Sequence, residues 1–139
     1  MISLPLALEL MESGLAWEPK LHDFFTIPNT SLEKRIFVVN DMMIDVQQLF
    51  GLQMITFNGA VEWSLDYITI AEALWVPTES QLREKLLQHA QRLTIPHVTL
   101  TAAIDDCSCK LMFRGSQMSF VGADASDAYA QALLYLLAQ

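Results

Sequence analysis

The spacing of apolar residues changes twice between Thr78 and the end of the chain, and no other feature of the 139-residue sequence constrains the fold as tightly. Leu82, Leu86, Leu87, Ala90 and Leu93 recur with a helical period, while Arg83, Glu84, Lys85, Gln88 and Arg92 fall outside that stripe. Thr78 followed three residues later by Gln81 spells a capping box, in which each side chain satisfies a free N–H of the first turn. Beyond Pro96 the period drops to two. Val98, Leu100, Ala102 and Ile104 alternate with small or polar residues, and Asp105-Asp106 turns the chain. Cys107, Cys109, Leu111 and Phe113 alternate back, and Gly115-Ser116 leads into Met118 and Phe120. Gly122 ends this meander, and a helical pattern resumes from about Asp124.

The first half alternates in the same way. Residues 3–13 read as a helix with Ser3 as cap, Pro5 in the first turn and Gly14 just beyond the end, burying Leu4, Ala7, Leu8 and Met11. Residues 23–27 and 35–40 read as strands around a turn at Pro28-Asn29, and 41–50 fits either a short helix or a continuing strand. Residues 53–57 and 60–65 flank Asn58-Gly59, the strongest short hairpin signal. The expected fold is α+β: antiparallel sheets with three main helices. Two β-then-α units are expected, 1–94 and 95–139, meeting near residues 93–96, with no internal repeat.

The last helix carries no charge after Asp127. Ala125, Ala128, Tyr129, Ala132, Leu133, Leu136 and Leu137 form a broad stripe, with Leu134 and Tyr135 outside it. A helix this apolar is buried on more than one side, either at the centre of its own domain or against a second copy. Hydrophobic residues are 53% of the chain and charged ones 17%, below the usual one quarter, which also fits apolar surface covered by a partner.

Charge narrows the partners. Sixteen acidic residues against eight basic ones give a formal charge of −8, and only Lys34-Arg35 are adjacent, so phosphate backbones and anionic lipid are repelled. No nucleic-acid or membrane partner is expected. Glu9 and Glu12 interrupt the first apolar stretch and no basic segment precedes it, so no signal peptide is read, and a cytoplasmic location follows. Cys107 and Cys109 are read as reduced thiols.

Catalytic patterns are sparse. Five glycines form neither a P-loop nor a dinucleotide fingerprint, and no cofactor is implied. His22, His89 and His97 lie far apart, and Cys107 and Cys109 with one histidine make a poor metal set, so no metal is expected. A hydrolase around His97, Cys107 and Cys109 stands as a remote alternative. A tryptophan-rich sheet face is the better ligand candidate: Trp17, Trp63 and Trp75 near one sheet, with Glu62 as its carboxylate, suit a small molecule or peptide. Three tryptophans in a small protein are more often simply its core.

The ordered segments 14–19, 23–28, 37–39, 57–66 and 75–83 carry a resemblance over residues 1–90. Among them are Gly14-Leu15-Ala16-Trp17-Glu18-Pro19, Phe57-Asn58-Gly59 with Glu62-Trp63-Ser64-Leu65-Asp66, and Trp75-Val76-Pro77-Thr78-Glu79. The chain resembles a group of small bacterial proteins of unknown function, some labelled pilus assembly proteins. The resemblance brings no catalytic residue, and an assembly ATPase needs a nucleotide loop that this sequence does not contain. The C-terminal strand-strand-strand-helix order resembles antitoxin and double-stranded-RNA-binding units in topology alone, and two aspartates stand at its helix start where an RNA reader would carry basic residues. These readings together favour a non-enzymatic protein-interaction module that forms a homodimer and binds another protein. The small-molecule module is the alternative.

Overall fold

The computed structural model describes residues 1–40, 44–57 and 67–139. Among these are three helices and three three-stranded antiparallel sheets, an α+β fold as the patterning implies. The chain forms two compact units, one of residues 1–15 with 77–139 and the other of residues 16–76. This grouping differs from a division at 94/95. The long helix after Thr78 and the first helix both pack on the last helix, which in turn packs on the meander, contacts that local patterning does not encode.

In the first unit, α1 (Leu4–Glu12) ends at Gly14, whose φ of +94° lets Leu15 N–H bond Leu10 C=O at 3.0 Å. Its buried residues are Ala7 and Leu10, whereas Leu8 and Met11 are exposed, which corrects the stripe expected from spacing. A helix with apolar residues on most sides offers several equivalent faces. Here the Ser3 backbone N–H donates to Asp127 Oδ1 at 3.0 Å, and that bond helps select which face turns inward.

Both halves of the capping box form at α2 (Glu79–Arg92): Gln81 N–H to Thr78 Oγ1, and Thr78 N–H to Gln81 Oε1. Leu82, Leu86 and Ala90 are buried. Leu87 is 46% exposed, a second correction: at 100° per residue it stands about 140° round the helix from Leu82.

The meander is β7 (Val98–Ala102), β8 (Cys107–Phe113) and β9 (Ser116–Gly122), in the order β7-β8-β9. Cys109, Leu111 and Phe113 are buried, and Cys107 is half-buried on the same face. The strand ends at Ala102, where Ala103 N–H to Asp106 C=O closes the turn, so Ile104 lies fully exposed instead of continuing the alternation. The following turn is Arg114-Gly115, one residue earlier than read, with φ of +52° and +78°.

Asp124 caps α3 (Ala125–Leu137) by accepting Asp127 N–H. Every residue from 125 to 137 is buried or half-buried, Leu134 and Tyr135 included. The helix packs against α1, α2, β8 and β9, so its apolar girth is largely consumed inside its own unit.

The second unit contains the sheet β2-β1-β6, formed by β1 (Phe24–Thr26), β2 (Phe37–Val38) and β6 (Leu74–Trp75). It also contains β3-β4-β5, formed by β3 (Ile44–Leu49), β4 (Leu52–Phe57) and β5 (Tyr67–Thr69). The ambiguity over 41–50 resolves to strand for 44–49. The expected Asn58-Gly59 hairpin and the strand at 60–65 lie outside the described residues. Phe25, Ile27, Phe37, Ile44, Ile55, Phe57 and Ile68 are the larger members of one buried cluster. Thr26 is buried in this unit, and its hydroxyl donates to Glu33 C=O at 2.9 Å, tying down the loop between β1 and β2.

Candidate interaction surface

Of the tryptophan candidates, Trp17 and Trp75 lie within the described residues, and Glu62 and Trp63 do not. Trp17 is half-buried, its ring 5.7 Å from that of Phe25. Its Nε1–H donates to Asp23 Oδ2 at 2.9 Å, and the same oxygen accepts the Lys20 backbone N–H at 3.0 Å. Asp23 is 4% exposed, so Trp17 is fastened by a buried carboxylate to the aromatic cluster. Trp75 is 9% exposed and stands opposite Phe25 in the β1–β6 register, and among the described residues its Nε1–H has no hydrogen-bond partner.

The sulfur-bearing candidates separate. Cys109 points to the helix-covered face of the meander, and burial pushes its thiol up to about 11. His97 is exposed and lies with Thr99, Lys110, Met112 and Gln117, on the opposite face. No nucleophile–base pair forms between His97 and Cys109, and a thiol this reluctant to ionise is a poor nucleophile at neutral pH. No cluster of three potential metal-ligating His, Cys, Asp or Glu residues occurs among the described residues.

The most unusual surface is one that spacing did not flag. β3 and β4 pair from Ile44 opposite Phe57 to Leu49 opposite Leu52, leaving Phe50 and Gly51 as a two-residue turn. Both carry positive φ, +54° and +75°, the geometry whose twist matches that of the flanking strands. Gly51 adopts it freely. Phe50 does not, because its Cβ crowds the backbone in the left-handed region. Phe50 is nevertheless 80% exposed, beside Leu52 at 54% and Tyr67 at 47%, with the Phe50 and Tyr67 rings 6.0 Å apart.

The meander supplies an internal comparison. Arg114-Gly115 takes the same backbone form, but there the side chain is charged and its guanidinium lies 4.9 Å over the Phe113 ring. The signal for the first turn is present in Val46-Gln47-Gln48-Leu49-Phe50-Gly51-Leu52-Gln53-Met54, nearly symmetric about Phe50-Gly51. A phenylalanine in the first turn position hides it, since that position favours Asn, Asp or Gly.

Among the described residues no helix is long and apolar enough to cross a membrane. Comparison with protein-family models, with curated proteins and with solved structures gives no match for this chain.

Proposed function

We propose that this chain is a non-enzymatic protein-interaction module, that it works as a homodimer, and that it meets a second protein through the tip of the β3–β4 hairpin. Phe50 carries the reading. A left-handed phenylalanine costs roughly 1–2 kcal/mol. Left in water, its ring also forgoes roughly 2 kcal/mol of burial. Both costs fall on the unbound chain and only the second is recovered, when the ring enters a pocket on a partner. Leu52 and Tyr67 widen the apolar contact around this anchor, the arrangement of a small interface centre. The buried Cys109 thiol and its separation from His97 support the non-enzymatic side of the reading.

The test is capture from native lysate with the tagged full chain and with a Phe50→Gly variant, the retained proteins quantified by mass spectrometry. A protein held in stoichiometric amount by the unaltered chain and reduced about tenfold or more by the variant, an anchor's worth of about 1.4 kcal/mol, is the expected result. The same proteins held equally by both chains would remove the hairpin tip from the account.

One observation favours a small-molecule module as a second reading. Among the described residues Trp75 Nε1–H is buried without an acceptor, and a ligand oxygen would satisfy it in a site drawn from the candidates Trp17, Glu62, Trp63 and Trp75. Native mass spectrometry of gently purified chain decides this: a mass increment lost after unfolding and refolding supports it, and identical masses reject it.

A further inference from the structure

The outer edge of β9 is a seven-residue strand, Ser116–Gly122, without charge, proline or bulge. Among the described residues β9 pairs with β8 alone, and no loop backbone bonds its other side. Natural sheets usually blunt such edges with lysine, proline or a bulge, because an open ladder recruits another strand.

Which backbone groups point outward follows from the turn. A two-residue turn closes on a hydrogen-bonded pair, here Phe113 with Ser116, and bonded and non-bonded pairs then alternate along the ladder. Gln117, Ser119 and Val121 therefore aim their N–H and C=O groups away from β8.

We infer that β9 pairs antiparallel with β9 of a second copy, about a two-fold axis at Ser119, to give one continuous six-stranded sheet. This rests on the homodimer reading above and names its seam. Three features select the second copy as occupant. First, with Ser119 opposite Ser119 of the other copy, Gln117 faces Val121 and all the outward backbone groups find partners, with the strand overlapped along its full length. Second, Met118 then stands opposite Phe120 on the helix-covered side. Both are half-buried in one chain, and Phe120 already packs on Tyr135 at 5.4 Å between ring centroids, so the seam extends an existing apolar layer. Third, the charges flanking β9 are Arg114 before it and Asp124 after it. Antiparallel pairing about Ser119 brings the Arg114 end of each strand to the Asp124 end of the other. Two chains of formal charge −8 thus meet along a neutral strand with opposite charges at its ends.

The experiment combines light scattering of the full chain over a wide concentration range with single cysteines placed in β9. In the inferred register Ser119→Cys faces its own copy at about 5.5 Å between Cα atoms, within disulfide reach. Gln117→Cys is displaced from its own copy by four residues, about 13 Å, and stays unlinked. A dimer by mass that oxidises to a covalent dimer through residue 119 and not 117 is the expected outcome. Ser119→Pro, which removes an outward N–H and no bond to β8, is expected to be a folded monomer. A monomer at every concentration would overturn both the homodimer reading and the seam. A dimer that persists in Ser119→Pro and does not link through residue 119 would leave the homodimer standing and overturn the seam.

Discussion

Asp127 Oδ1 accepts the backbone N–H of Ser3 at 3.0 Å, joining the first turns of α1 and α3 across 124 positions of sequence. One carboxylate thus serves the entry of α1 while lying in the first turn of α3, where the helix dipole favours a negative charge.

Replacing it should loosen both helix starts. Asp127→Ala is expected to lower unfolding free energy by about 1–2 kcal/mol, the low end for a hydrogen bond to a charged group because the site is partly open to water. Asp127→Asn keeps an acceptor oxygen and should lose less. Urea denaturation of the two variants checks the order, and equal losses would place the effect in charge alone.

Gly122 is needed for the close passage of β9 under α3. A Cβ there would stand 2.5 Å from Ala128 N and 2.8 Å from Asp127 C, both backbone atoms that cannot step aside. Gly122→Ala is therefore expected to cost about 3 kcal/mol or more, in the range of severe overpacking, or to prevent folding. Gly115→Ala meets open space but holds φ at +78°, and should cost only about 1 kcal/mol. Thermal melts of the two alanine variants separate close approach from backbone strain.

The Cys109 thiol titrates near 11 because burial disfavours its thiolate. The unfolded chain releases that proton at a lower pH, near the ordinary thiol range. Stability from this group is therefore complete below about pH 9. It is lost as pH rises toward the folded value of about 11. Burial raises Tyr129 in the same direction. Denaturation midpoints measured across alkaline pH should fall in the native chain and fall less in Cys109→Ala. Alkylation at pH 8 should label Cys107, half-buried, well before Cys109.

Local chemistry was written in the sequence where one residue answers another a few positions away. Thr78 with Gln81, Asp124 at the start of α3 and Gly14 at the end of α1 are of this kind, and so is the alternation Cys109, Leu111, Phe113. What was not legible depended on partners that no helix or strand period marks. The inward face of α1 follows α3 rather than its own spacing, and the girth of α3 is covered by two helices and two strands brought together by the fold. Trp17 is placed by a carboxylate six residues away, a bond no apolar pattern encodes. The hairpin tip is hidden for the opposite reason: a turn that ordinarily announces itself with asparagine carries Phe50. The sequence departs from the local rule at the position proposed to do the binding, where such departures are expected.

On the proposed function Phe50 is kept for contact and not for folding, and equilibrium urea unfolding of Phe50→Gly distinguishes the two. Glycine accepts φ of +54° without strain and removes an exposed ring, so the variant should be more stable than the native chain by about 1 kcal/mol while losing its partner. A loss of about 1 kcal/mol or more in the variant would show that the ring supports the fold, and would rule out a Phe50 kept for binding alone.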